Sequence, residues 1–105
     1  MEKIYQRTSG IQKDMVSGFC PGCMHGTVMK LIGEVLEELG ILEKASMAIG
    51  VGCSGLGNQY VTYNVIQCAH GRACAVATGI KRSTPEQFVF TYQGDGDLGA
   101  IGLAE

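Results

Sequence analysis

The 105-residue sequence has no basic run: 8 Lys and Arg are set against 10 Asp and Glu, for a net charge of −2. That argues against nucleic acid as a partner, because backbone phosphates are bound by clustered cations. No apolar run reaches the ~20 residues that a membrane-spanning helix needs. The opening MEKIYQRTSG lacks the zones of a signal peptide, so a cytoplasmic location is expected. Charged residues are only 17% against 46% hydrophobic, which excludes the composition of a disordered chain and suits a packed core. There is no internal repeat and no low-complexity tract. The length allows one domain at most. Glu105 falls inside an expected helix that has no stop signal, so residues 1–105 are expected to form the N-terminal part of a longer domain.

Glycine and cysteine, by contrast, are abundant. The 16 glycines are about twice the usual share. They cluster at Gly50–Gly57 and Gly94–Gly102, as expected where backbone approaches a ligand closely. The five cysteines lack a secretory context, which favours metal ligands or redox centres over structural disulfides.

The most informative stretch is EQFVFTYQGDGDLGAIGLAE, residues 86–105. Phe88 to Tyr92 is an unbroken run of strand formers, the pattern of a strand buried on both faces of a parallel sheet. After the break at Gly94-Asp95-Gly96-Asp97, residues Leu98, Ile101, Leu103 and Ala104 read as the start of a helix. Strand, glycine turn and helix N-terminus make a corner whose free N–H groups and dipole favour an anion. Two carboxylates there would repel a diphosphate unless a cation lay between, and magnesium is commonly held by one or two carboxylates with phosphate oxygens. The corner is therefore expected to be a magnesium–diphosphate site with Asp95 as the metal ligand. Gly94, Gly96 and Gly99 also fit the dinucleotide fingerprint G-x-G-x-x-G, and a glycine turn with surface aspartates would need no ligand at all.

Residues 1–19 are expected to form an extended arm, and Cys20-Pro21-Gly22-Cys23 a tight turn. A helix capped by Thr27 should then bury one apolar stripe, Val28, Leu31, Ile32, Val35, Leu36 and Leu39, and stop at Gly40. Ala45–Val51 predicts a short strand running into the second glycine turn. Residues 58–69 show no clear period, and 64–69 read as loop or short helix. A further helix is predicted from about Ala73 to Arg82, with Pro85 as its stop. Ligands gather at the carboxyl ends of strands in open α/β sheets, so the turns at 52 and 94 predict one shared site.

Cys20, Cys23 and Cys53 admit three chemistries. A thiol redox pair would want a strand before the CxxC, which Val16–Phe19 makes poorly. A structural zinc wants four ligands. An iron–sulfur cluster also wants four thiolates, of which three are at hand. Cys68 and Cys74 read as small buried apolar residues. His70-Gly71-Arg72 reads either as a second phosphate clamp, through the planar fork of Arg72, or as a helix cap beside a surface arginine.

Taken in order, FCPGC (19–23), GVGCSG (50–55), AHGRACAVATGIKR (69–82) and TYQGDGDLGAIGLAE (91–105) resemble the beta subunit of 2-oxoacid:ferredoxin oxidoreductases, in the 2-oxoisovalerate or 2-oxoglutarate branch. The resemblance runs over nearly the whole chain from Phe19. It implies an α/β fold, a three-layer parallel sheet with helices on both faces. It implies thiamine-diphosphate-dependent oxidative decarboxylation of a 2-oxoacid to an acyl-CoA, with electrons passing through a 4Fe-4S cluster to ferredoxin. By the same resemblance Val51, Gly52, Cys53 and Ser54, and His70, Gly71, Arg72 and Ala73, would border thiamine diphosphate. Asp95 would hold magnesium, with Gly94, Gly96 and Asp97 at the diphosphate, and Cys20, Cys23 and Cys53 would be three cluster ligands. The implied partners are an alpha subunit, gamma and delta subunits, ferredoxin, coenzyme A and the 2-oxoacid. The carboxylate that activates the aminopyrimidine belongs to the partner subunit, so no catalytic acid or base is assigned here. Met24 and Cys74 stand where the family has glycine and proline, and neither change removes a ligand. A dinucleotide-binding oxidoreductase and a small CxxC thiol or zinc module are the alternative readings of these residues.

Overall fold

The computed structural model describes residues 9–12, 18–53, 55 and 61–104. Strands β1 (Ala45–Ile49), β2 (Asn64–Gln67) and β3 (Phe88–Tyr92) form a parallel sheet in the order β2-β1-β3. Two helices flank it, α1 (Met24–Glu38) and α2 (Ala73–Ser83). Among the described residues no helix is long and apolar enough to cross a membrane.

The layering follows from the two-residue period of β1. Its alternate residues Ala45, Met47 and Ile49 pack with Met29 and Leu36 of α1, while Ala48 packs on the other face with Ala73, Val76 and Ala77 of α2. Helices therefore cover both faces, as the sequence implied. The strand buried on both faces is β1 and not β3: all five β1 residues are buried, whereas Phe88 is 46% exposed and the rest of β3 half-buried. β1 occupies the centre of the described sheet, and its short side chains let both helices approach. β3 has a described neighbour on one side only.

The stretch read as loop or short helix is instead β2. Its polar ends, Asn64 and Gln67, hide its strand character, and parallel pairing with β1, from Ser46–Asn64 to Ile49–Gln67, supplies it. α1 starts at Met24, three residues before the expected cap at Thr27, with Cys23 extended at its N-cap. Its stop is the expected one. Gly40 adopts a φ of +70°, its N–H donates to the Glu37 carbonyl, and the Ile41 N–H donates to that of Leu36. That pair of bonds is the Schellman arrangement.

The buried line of α1 is turned from the expected stripe. It runs through Met29, Gly33 and Leu36, where Gly33 lies against the backbone of Gly10. Leu31, Val35 and Leu39 are 51%, 51% and 64% exposed, and with Val28, Phe88 and Phe90 they line an apolar groove of about 350 Å³. Of the arm, Ile11 is buried and bridges antiparallel to Val61, and residues 1–8 and 13–17 lie outside the described ones. After β3 the described chain makes a short helical segment, residues 95–101, π-helical over Asp97–Ile101, that gives way to turns at 102–104 and is not the longer helix expected. So short a segment sums few peptide dipoles, and its macrodipole is weak.

Candidate functional site

Parallel strands bring their carboxyl ends to one edge of the sheet, and the loops after β1, β2 and β3 meet there. Between them lies a cleft of about 330 Å³ lined by His25, Val51, Gly52, Cys53, His70, Gly94, Asp95, Gly96 and Asp97. Residues from both glycine turns and from the HGR stretch thus share one site. Ser54 lies outside the described residues.

Asp97 organises the edge. Its side chain is fully buried. Oδ1 accepts from the Val51 N–H at 3.3 Å, the Gly71 N–H at 3.2 Å and His70 Nδ1, while Oδ2 accepts from the Gly94 N–H at 3.4 Å. An ionised carboxylate only accepts, so Nδ1 is assigned as the protonated nitrogen of His70. Burial alone would push this carboxyl upward. The Gly71 and Val51 N–H groups, His70 and the Gly94 N–H outweigh it and hold the group below the ordinary carboxylate range.

Of the N–H groups of the Gly94–Asp97 corner expected to await a phosphate, that of Gly94 is thus engaged by the protein's own anion, together with those of Val51 and Gly71. Asp97 borders the cleft as expected, but its oxygens are committed to the chain. Asp95, two residues earlier, is exposed and faces the same cleft, free of that role. Gly71 stands behind it: its φ is +78°, and a Cβ there would lie 2.9 Å from the Gly102 nitrogen. Arg72 turns to the backbone, with Nη1 donating to the carbonyls of Gly71 at 3.3 Å and Ile101 at 3.4 Å. Ala73, the first residue of α2, is buried against Ala48 of β1. Arg72 and Ala73 therefore border the site from behind and do not line its cleft.

All five cysteines are free thiols. Cys20 and Cys53 are exposed and Cys23 is half-exposed; the CxxC turn is closed by the Cys23 N–H donating to the Cys20 carbonyl at 2.9 Å. Among the described residues no three His, Cys, Asp or Glu side chains converge as a single metal ion would require. Cys68 is buried as expected, but Cys74 is only half-buried and its thiol donates to Gln93 Oε1 at 3.2 Å.

His25 is a cleft residue that the sequence pattern did not single out. It lies in the first turn of α1, stacked on Phe19 with ring centroids 5.4 Å apart, and its Nδ1 is 2.6 Å from the Tyr92 hydroxyl at the end of β3. Burial, followed by the nearby Cys23, pushes the Tyr92 hydroxyl upward, so it stays protonated. The available signal was position: a histidine two residues after a CxxC, on the helix that the motif opens.

The donor set suits a metal–diphosphate group in kind. Asp95 offers an open carboxylate. Gly96 has helical backbone angles, φ −69° and ψ −35°, and a Cβ there would meet no atom within 4 Å. Neither the fold nor the backbone demands glycine at that position, while a ligand lying against the chain would.

Residues 50–105 match the family described as thiamine pyrophosphate enzyme, C-terminal TPP binding domain. Ketoisovalerate oxidoreductase subunit VorA of Methanothermobacter thermautotrophicus is 45% identical over all 105 residues of the chain, which are 22% of that relative. 2-Oxoglutarate synthase subunit KorB of Methanocaldococcus jannaschii is 42% identical over 85 residues, 80% of this chain and 32% of the relative. The solved 2-oxoglutarate:ferredoxin oxidoreductase from Magnetococcus marinus, with 2-oxoglutarate, coenzyme A and succinyl-CoA bound, superposes with a TM-score of 0.82 at 34% identity, over 90% of this chain and 33% of that one. The chain thus spans about a fifth to a third of the length of these relatives. The matched region, the parallel sheet and the shared strand-end cleft agree: the chain belongs to the thiamine pyrophosphate enzymes, in the group formed by the subunits of 2-oxoacid:ferredoxin oxidoreductases.

Proposed function

We propose that this chain is the cofactor-binding part of the beta subunit of a 2-oxoacid:ferredoxin oxidoreductase working in the cytoplasm. The reaction joins a 2-oxoacid and coenzyme A, releases carbon dioxide and an acyl-CoA, and delivers two electrons to ferredoxin. Thiamine diphosphate, when bound, supplies the electron sink for the decarboxylation. The observation that carries the reading is the meeting of three strand-end loops at one cleft containing an open carboxylate, Asp95, beside an unfilled backbone position, Gly96.

The residues divide the work. Asp95 would hold magnesium, since an exposed carboxylate is its usual protein ligand beside phosphate oxygens. Gly94 and Gly96 let the diphosphate lie against the chain. Val51, Gly52, Cys53 and His70 would form the rest of the border, with Gly71, Arg72 and Ala73 behind, and Ser54 would join them as the resemblance implies. Cys20, Cys23 and Cys53 would hold three corners of a 4Fe-4S cluster, which accepts electrons singly. Cys53 belongs to both sets, so a cluster it held would lie beside the cofactor. The alpha subunit supplies the remaining protein groups of the reaction, and gamma and delta subunits are further expected partners.

Calorimetric titration of the full-length protein tests this. Thiamine diphosphate should bind only with magnesium, and Asp95→Ala should abolish binding. Magnesium-independent binding of NAD would refute the reading in favour of a dinucleotide enzyme. Anaerobically purified protein should carry iron and sulfide, and stoichiometric zinc without iron would refute the cluster.

A further inference from the structure

Asp97 places a protein anion where the fold presents an anion site. The N–H groups of Val51, Gly71 and Gly94 belong to the loops that follow β1, β2 and β3 respectively, and all three point at one carboxylate. Such concave sets of backbone donors bind phosphate in other proteins. Here the oxygens are the chain's own, on a fully buried side chain that no water competes for. The space is fitted to it, since a Cβ at Gly50 would stand 2.7 Å from Asp97 Cγ.

We propose that Asp97 is a positioning residue, a clamp that holds the three strand-end loops in register so that Cys53, His70 and Asp95 keep their relative places around the cleft. What the clamp serves rests on the cofactor reading above; the clamp itself does not. Oδ1 already accepts from Val51, Gly71 and His70, and Oδ2 from Gly94, so Asp97 acts through these loops and not by touching the diphosphate.

The two oxygens make separable demands. Asparagine keeps an acceptor at Oδ1 but places an NH2 where Oδ2 was, facing the Gly94 N–H with no lone pair to offer. Alanine removes both acceptors. The test is site-resolved amide hydrogen exchange on the full-length protein, paired with thiamine diphosphate titration in magnesium, for wild type, Asp97→Asn and Asp97→Ala. Asp97→Asn should speed exchange at Gly94 while Val51 and Gly71 stay protected, and should weaken cofactor binding about tenfold. Asp97→Ala should expose all three amides and weaken binding about 100-fold, the range seen when groups that orient a metal site are removed. Rescue of two amides of three by asparagine is a signature that general destabilisation does not produce. Should the alanine variant fail to fold, Gly50→Ala displaces the carboxylate from the other side and should speed exchange at Val51.

Equal protection of Gly94 in wild type and Asp97→Asn overturns the clamp. So does faster exchange at Val51 and Gly71 when wild type binds thiamine diphosphate, because cofactor binding would then be releasing those donors from Asp97 instead of relying on them. Wild-type protein indifferent to thiamine diphosphate overturns the cofactor reading instead, while the exchange pattern still decides the clamp.

Discussion

The same substitution, glycine to alanine, should act in opposite directions at two positions eight residues apart. At Gly71 the backbone φ is +78°, and the added Cβ would collide with Ile101 Cγ2 and stand 2.9 Å from both the Ile101 carbonyl carbon and the Gly102 nitrogen. The left-handed backbone costs an L-residue about 1–2 kcal/mol, and forcing a methyl into a filled space about 1–3 kcal/mol. Gly71→Ala should therefore lose about 2–5 kcal/mol, a large share of the 5–15 kcal/mol that typically separates folded from unfolded protein. Gly79 lies inside α2 with no atom within 4 Å of its would-be Cβ and no positive φ. There alanine relieves the backbone entropy cost and should gain about 0.5–1 kcal/mol. Equilibrium urea denaturation measures both, read from the midpoint at an unchanged m value. A Gly71→Ala midpoint at or above wild type would refute the packing argument, and a fall for Gly79→Ala would refute the open space.

Two further outcomes are expected. Met29 is fully buried against β1 and Leu39 is 64% exposed, so Met29→Ala should lose about 2–5 kcal/mol while Leu39→Ala changes stability by under about 0.5 kcal/mol in the same denaturation assay. In cluster-free protein, alkylation followed by mass spectrometry should mark Cys20 and Cys53 early and Cys68 last. Burial raises the Cys68 thiol above its ordinary value, and the Asp97 charge adds to this against a backbone hydrogen bond from Ile49. Less thiolate is then present at neutral pH, and its labelling should rise only as the medium turns alkaline.

Elements with a local cause were legible before any coordinates. Gly40 stops α1 because the two closing hydrogen bonds need a left-handed residue there. Phe88–Tyr92 and the α2 pattern are strong enough to place β3 and α2 almost to the residue. What depends on distant partners was not legible. β2 is held by its register with β1, not by its own polar sequence. The face of α1 that is buried is chosen by where Gly33 meets Gly10, a pairing of two residues 23 positions apart with no side chains to signal it. At the site, the sequence correctly joined residues from both glycine turns and the HGR stretch in one cleft. It set Asp95 apart as the expected metal ligand and put Asp97 at the diphosphate, but it could not foresee that the fold turns Asp97 inward onto three loops and leaves Asp95 outside.

The contact between Ala48 of β1 and Ala73 of α2 matters beyond its size. Both residues are wholly buried, and neither has more than a methyl group to separate helix from sheet. The first turn of α2 therefore rides low on the strands, and His70, Gly71 and Arg72 are delivered immediately before it. The depth of the cleft is thus governed from its rear wall: a bulkier side chain at either alanine would raise the helix like a shim under a hinge and carry the His70 loop outward, without altering any residue that a ligand touches.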